Sequence, residues 1–388
     1  MLGPRAVSPM ALFRSKAVII PIAIIISLCL FAFAPLPTRI DDGRDKLIQH
    51  ITDSAKGGHD ADPPEEPAHT AGFGPLDTTP GHKPDPEAKY AFATFLAGTT
   101  QDPSDTDWSH DHYFLATRIL AYQLLHCPET RSKSDIPFVV LVTRDVPEAK
   151  RARLTKDGAT VVEAEYLHED WIVTETSTWQ DVMTKLRLWE LTQYERIAFL
   201  DGDTVLTRPL DGLFDDPAVR LTDTGNETAH VRDDEGPLPP AYSFAGVPEM
   251  KRVHGYPPTD ANHDYPNINY LNAGFFVFRP SADIFAYYAS VMKVPNRFNP
   301  KFPEQNLLNY AHRREGNMPW TMLGNEWNIH YPTVEDLLGG VASLHEKWWA
   351  PVHDELRPFM DSWRWRMEGF FEARDAAEKT RTTTPTSS

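Results

Sequence analysis

Cysteine is nearly absent from this chain of 388 residues, which has two, Cys29 and Cys127. Cys29 lies inside an apolar run, so the rest of the chain carries one thiol. That excludes an intramolecular disulfide framework and a cysteine-rich zinc site, and leaves Cys127 either buried or open to an intermolecular bridge. Positive charge is also scarce. Lys and Arg number 38 against 55 Asp and Glu, a net charge of −17 that is unsuited to a nucleic-acid backbone. No G-x-G-x-x-G and no G-x-x-x-x-G-K-[ST] run is present, which disfavours a dinucleotide fingerprint and a P-loop. A nucleotide bound here would depend on a metal for its phosphates.

Charge of either sign is missing from Ala17 to Leu36, AVIIPIAIIISLCLFAFAPL. A run of that length matches a hydrocarbon layer of about 30 Å, and Pro21 is tolerable near the start of a membrane helix. Arg5, Arg14 and Lys16 precede it, so residues 1–16 are expected in the cytoplasm and the bulk of the chain in the lumen. Ala32-Phe33-Ala34 resembles a signal-peptidase site, but the run exceeds the roughly 7–15 residues of a cleavable signal, and an uncleaved single-pass type II anchor is the expectation. A span this short suits a Golgi membrane better than the thicker plasma membrane. Residues 37–89 are acidic, hold Pro63, Pro64, Pro67, Pro75, Pro80, Pro84 and Pro86, and read as a disordered stalk.

The folded part opens at Tyr90. YAFATFLAG reads as a core strand. From Asp111 to His126, Tyr113, Leu115, Ile119, Tyr122 and Leu125 recur at helical spacing and predict an amphipathic helix. Pro137 to Thr143 and Ala159 to Ala164 are strands around a polar helix, and Gln180 to Tyr194 is a helix leading into a further strand. This alternation predicts an α/β domain with a mostly parallel sheet. Asp215 to Asn269 is too long for an ordinary connection and reads as an acceptor-side flap. Beyond it come a strand at Phe275–Phe278, helices at Ser281–Val291 and Pro303–His312, an extended Gly324–Tyr331, and a late strand ending at His345. Trp363 and Trp365 are expected to pack a terminal helix on the core, and residues 374–388 to lack structure. Asn226-Glu227-Thr228 is an N-glycosylation acceptor in a polar segment.

The chemistry concentrates in IAFLDGDTVLTRPL, Ile197 to Leu210. An apolar strand runs into Asp201 and Asp203 across one glycine. Ligands of open α/β sheets gather at the carboxyl ends of strands, and two carboxylates there can face a hard divalent cation able to hold a diphosphate. A solvated turn would use the same residues.

Five segments in order, YAFATFLAG, TKLRLWELTQYERIAFLDGD, LNAGFFVFRP, EQNLLN and the late His345-Glu346-Lys347-Trp348, resemble glycosyltransferase family 8. The resemblance extends to fungal membrane-anchored members, among them a Golgi N-acetylglucosaminyltransferase. It implies a GT-A fold over residues 90–373, a UDP-sugar donor, Mn²⁺ and retention of anomeric configuration. It further implies Asp201, Asp203 and His345 as metal ligands, Lys185 and Gln305 as catalytic groups beside the aspartates, and Asn272, Gly274, Glu304, Asn328 and Lys347 as donor contacts. Tyr113 and Arg118 are further candidates for the nucleotide pocket. Two departures stand out: the family's H-x-x-G-x-x-K-P-W is shortened to HEKWW, and Glu304 replaces an aspartate.

The reaction so implied moves a sugar from a nucleoside diphosphate to a glycan or glycoconjugate hydroxyl. Attack comes from the face the diphosphate leaves, and the leaving phosphate takes the acceptor proton. A covalent intermediate is the other retaining route. The rival functions are a metal-dependent nucleotide-sugar hydrolase or phosphodiesterase and a catalytically silent, lectin-like scaffold.

Overall fold

The computed structural model describes residues 88–98, 108–174, 179 and 181–383. The apolar run at 17–36, the segment before it and nearly all of the stalk lie outside the described residues. Among those described, no helix is long and apolar enough to cross a membrane.

Strand β1 (Tyr90–Leu96) is followed by helix α1 (His112–Leu125), β2 (Phe138–Thr143), α2 (Glu148–Lys156), β3 (Thr160–Ala164), β4 (Arg196–Leu200) and β5 (Thr204–Leu206). The middle third supplies β6 (Thr222–Asp223), β7 (Ala241–Tyr242), β8 (Phe244–Pro248) and β9 (Leu271–Phe278). Then come α3 (Ala282–Met292), α4 (Pro303–Ala311), β10 (Thr321–Met322), β11 (Ile329–His330), α5 (Val334–Leu338), β12 (Ser343–His345) and α6 (Arg357–Thr383).

Seven strands form the main sheet, in the order β10-β8-β9-β4-β1-β2-β3. The β4-β1-β2-β3 half is parallel, as the alternation of elements predicts, but β9 runs antiparallel to both β4 and β8. The sheet is therefore mixed, and the fold is GT-A-like. A second, three-stranded sheet, β11-β12-β5, sits at its carboxyl edge.

Period-two alternation in β9 divides the core. Phe276 and Phe278 face a cluster with Trp189, Phe199 and Tyr288, while Phe275 and Val277 join Phe92, Phe114 and Phe138 on the opposite side. Trp189 stacks on Phe278 with ring centroids 4.0 Å apart. It comes from Val182–Glu190, a 3-10 helix rather than the α-helix its spacing suggests. Met183, Leu186 and Trp189 recur every third residue and are all buried there, the repeat of a three-residue turn.

Four further expectations change. Helix α1 is buried from Phe114 to Leu124 on all sides, not amphipathic, because α6 covers the face that would otherwise meet water: Phe370 and Phe371 pack on Tyr122. Residues 374–383, read as structureless, continue α6 to Thr383. Arg374 is buried there, donating to the Lys156 carbonyl and to Asp157. Trp363 packs inward as expected, but Trp365 is 63% exposed. Finally, the stretch read as a flap contains β8, a fully buried strand of the main sheet. FAGVP has no alternation to betray it, since both of its faces are covered. Cys127 is buried and unbridged, donating to Glu129, and Asn226 is exposed.

Candidate active site

Asp201 follows directly on β4, and its backbone N–H donates to the Gly274 carbonyl in β9 at 2.8 Å. Thr204 closes the turn by donating to the Asp201 carbonyl at 3.1 Å. The chain then reverses into β5, whose Thr204 is the ladder partner of His345 in β12. Glu346 N–H donates to the Asp203 carbonyl at 3.0 Å. The small sheet thus carries His345 to the acidic turn.

His345 Nε2 lies 3.3 Å from Asp203 Oδ1 and 3.8 Å from Asp201 Oδ2. One donor atom from each of the three residues falls within 4.8 Å of the others, a spacing suited to a common cation. Two carboxylate oxygens and an imidazole nitrogen are a donor set for a divalent ion of the manganese or zinc type. Burial alone would raise the Asp203 carboxyl, but His345 and Lys347 outweigh it and hold the group well below the usual carboxylate range. Burial would likewise lower His345, yet Asp203 and Asp201 raise it.

Lys185 is nearly inaccessible. Its ammonium lies 3.0 Å from Asp201, 3.2 Å from Glu304 and 3.4 Å from the Ala273 carbonyl. Burial opposes its charge, but the two carboxylates raise its pKa. Glu304 occupies the first turn of α4, where the helix dipole favours a carboxylate. Beside it Gln305 accepts from the Ala273 N–H at 2.8 Å. Lys347, its side chain 46% exposed, reaches Asp203 at 3.3 Å despite the shortened loop. Glu346 orders that loop: its carboxylate accepts from the N–H groups of Lys347 and Val352.

Asn272 accepts from the Gly274 N–H at 2.8 Å and donates to Glu249 at 2.9 Å. Asp201, Asp203, His345, Lys185, Lys347, Asn272, Gly274, Glu304 and Gln305 all line one cavity of 640 Å³. Tyr113 lines it too. Arg118 does not, being committed to the buried Asp157 at 2.7 Å. Asn328 is a correction as well. It is fully buried and donates to Ser343 Oγ at 2.8 Å, tying β11 to β12 instead of contacting the cavity.

Sequence reasoning missed Glu249 and His330, which face the cavity from the carboxyl ends of β8 and β11. His330 Nδ1 is 2.6 Å from Glu249 Oε1, and its ring stacks on His345 at 4.6 Å and on Tyr331 at 3.6 Å. Burial lowers His330, favouring the neutral ring. The available signal was positional. His330 stands two residues beyond Asn328, on the same strand face but one step nearer the ligand edge.

Glycosyl transferase family 8 matches residues 109–345. An uncharacterised protein of Schizosaccharomyces pombe is 30% identical over 285 residues, 65% of this chain and 74% of its own length. Galactinol synthase 2 of Arabidopsis thaliana is 27% identical over 316 residues, 72% of this chain and 85% of the synthase. The solved glycosyltransferase GlyE of Streptococcus pneumoniae TIGR4 is a distant likeness, with 12% identity, a TM-score of 0.43, and 78% of this chain and 66% of that chain covered. The family match spans more than half the chain and ends on the histidine that closes the acidic cluster, so this protein belongs to glycosyl transferase family 8 and is a metal-dependent nucleotide-sugar glycosyltransferase.

Proposed function

We propose that the enzyme transfers a sugar, glucose or N-acetylglucosamine, from its UDP derivative to a glycan or glycoconjugate hydroxyl, with Mn²⁺ and with retention of configuration. The observation that carries the reading is the convergence of Asp201, Asp203 and His345 with Lys185 and Lys347 on one cavity. When bound, the cation neutralises charge on the diphosphate leaving group. Lys347 is the exposed cation beside it and is placed to meet the phosphates. Lys185, locked between Asp201 and Glu304, fixes the orientation of both carboxylates toward the sugar. Asn272 and Gln305 present amides to the sugar's hydroxyls.

Attack from the face that the diphosphate leaves fits this arrangement, and Gln305, the residue beside Glu304, is a poor nucleophile. The apolar run at 17–36 supports a type II Golgi anchor with the catalytic domain in the lumen, a compartment with glycan acceptors at hand. UDP- and GDP-sugars assayed with Mn²⁺, with and without chelator, test the reading. Turnover of a UDP-sugar that chelator stops is expected, and no binding or turnover of any donor overturns it.

A further inference from the structure

Three Lys and Arg side chains line the cavity, Lys185, Lys347 and Arg252, and the third is unlike the others. Lys185 pairs with Asp201 and Glu304, and Lys347 with Asp203. Glu249, the remaining carboxylate of the wall, is engaged by His330. Arg252 is exposed and has no carboxylate partner among the described residues. It is nevertheless held in place. Its guanidinium carbon lies 5.3 Å from the centre of the Tyr331 ring, which in turn stacks on His330 at 3.6 Å. Tyr331 sits at φ 56°, a left-handed conformation that a bulky residue adopts only where its surroundings enforce it. The backbone around Arg252 is pinned as well. Lys251 N–H donates to the Asp264 carbonyl at 2.9 Å, and the Arg252 carbonyl accepts from His353 Nε2 at 2.7 Å. The buried His254 imidazole bridges the Lys251 carbonyl and Asp336. A merely solvated arginine has no need of such support.

We infer that Arg252 reads an anionic group, a phosphate or a carboxylate, on the acceptor, so that the enzyme's acceptor is an acidic saccharide. The inference rests on the transferase reading. A guanidinium laid on an aromatic face keeps its N–H edge free, and that planar fork matches two oxygens of a phosphate or carboxylate. Its place in the fold selects the acceptor over the donor. Arg252 follows β8, whereas Phe95, Leu96 and Tyr113 line the cavity from β1 and α1. In the sheet β4 stands between β1 and β8, and Asp201 follows β4. A diphosphate at the acidic cluster therefore has an apolar wall for the donor's base on the β1 side. Arg252 stands across the cluster from that wall, on the side left for the second substrate. It contributes specificity and takes no part in the bond exchange.

Matched acceptors test this. Full-length protein in detergent receives UDP-glucose or UDP-N-acetylglucosamine with Mn²⁺ and two pairs of compounds: methyl mannoside with its 6-phosphate, and methyl glucoside with methyl glucuronide. The readout is the ratio of kcat/KM for the anionic over the neutral member, which cancels any general loss of folding or of donor binding. A compound that receives no sugar is scored by its inhibition of donor hydrolysis, and the same ratio is formed. Wild type is expected to favour the anion in at least one pair by about tenfold or more, the size of a charge-assisted contact. The pair that responds tells phosphate from carboxylate. Arg252→Met should bring that ratio to within about threefold of unity, and Arg252→Lys, which keeps the charge without the fork, should fall between. Wild-type ratios near unity in both pairs overturn the proposal. So does an Arg252→Met enzyme that keeps the wild-type ratio, whatever it loses in donor binding, and so do four compounds that neither accept sugar nor inhibit. Wild-type protein that neither hydrolyses nor transfers from either donor in any metal-dependent way sinks the transferase reading first, and the acceptor site loses its reaction with it.

Discussion

Gly274 lies so close beneath His345 that a β-carbon built on it would stand 2.0 Å from the imidazole Cε1. Nothing larger than hydrogen fits unless the ring moves. Gly274→Ala is therefore expected to displace His345 from the two aspartates, and a small displacement of a catalytic group is enough to cost 100-fold in rate. Mn²⁺ titration and turnover should both weaken while the thermal melt shifts little. Unchanged metal affinity would remove His345 from the ligand set.

Asp203 is the carboxylate that both His345 and Lys347 hold. Asp203→Ala should abolish chelator-sensitive turnover and leave the protein folded, as circular dichroism would register. Retained activity would place the metal elsewhere.

Lys185 answers two carboxylates from a site almost closed to water. Removing one partner of a fully buried ion pair costs about 3–5 kcal/mol; here Asp201 at 34% and Glu304 at 13% exposure keep some water, so the lower end of that range applies. Lys185→Met should lose stability of that order in urea titrations. Adding Glu304→Gln in the same chain should return part of it, and strict additivity of the two changes would argue against the pairing.

His312 gives the fold an acid limit. Its Nδ1–H donates to the Met318 carbonyl at 2.7 Å and its Nε2 accepts from the Tyr288 hydroxyl at 2.5 Å, so the neutral ring is fully used. Burial pushes it down to about 4. The unfolded chain takes up a proton near pH 6.5 and the folded one only near 4. This contribution is therefore complete above pH 6.5 and is lost as pH falls toward 4, about 3 kcal/mol in all. Unfolding free energy measured at pH 7 and pH 4.5 should show the slope, and His312→Gln should flatten it.

The C-terminal boundary can be tested directly. Ending the chain at residue 373 removes Arg374, which reaches the buried Asp157 at 3.3 Å. A fall in melting temperature of about 4 °C or more is expected relative to a chain ending at 383. Equal melting temperatures would make the last turns of α6 dispensable.

The sequence could be read best where one residue type has one use. An apolar strand running into Asp201 and Asp203 announces a ligand edge, and the β4–β9 pairing that supports it follows from two strongly apolar runs. It could be read worst where burial is complete. The polar periodicity expected of α1 is missing because α6 closes over it, and Asn328, an asparagine in a promising segment, serves a strand pairing that no local pattern reveals. His330 and Glu249 escaped because each is an isolated polar residue whose partner lies far along the chain. Only the topology brings them to one wall.

The pairing of β12 with β5 has a consequence for synthesis. His345 reaches Asp203 only as the ladder partner of Thr204, so the ligand set stays open until Ser343 to His345 have left the ribosome. A nascent chain that already displays both aspartates still lacks its imidazole. Metal capture thereby reports that translation has passed the final strand, and a prematurely ended chain would hold the acidic turn without the centre it serves.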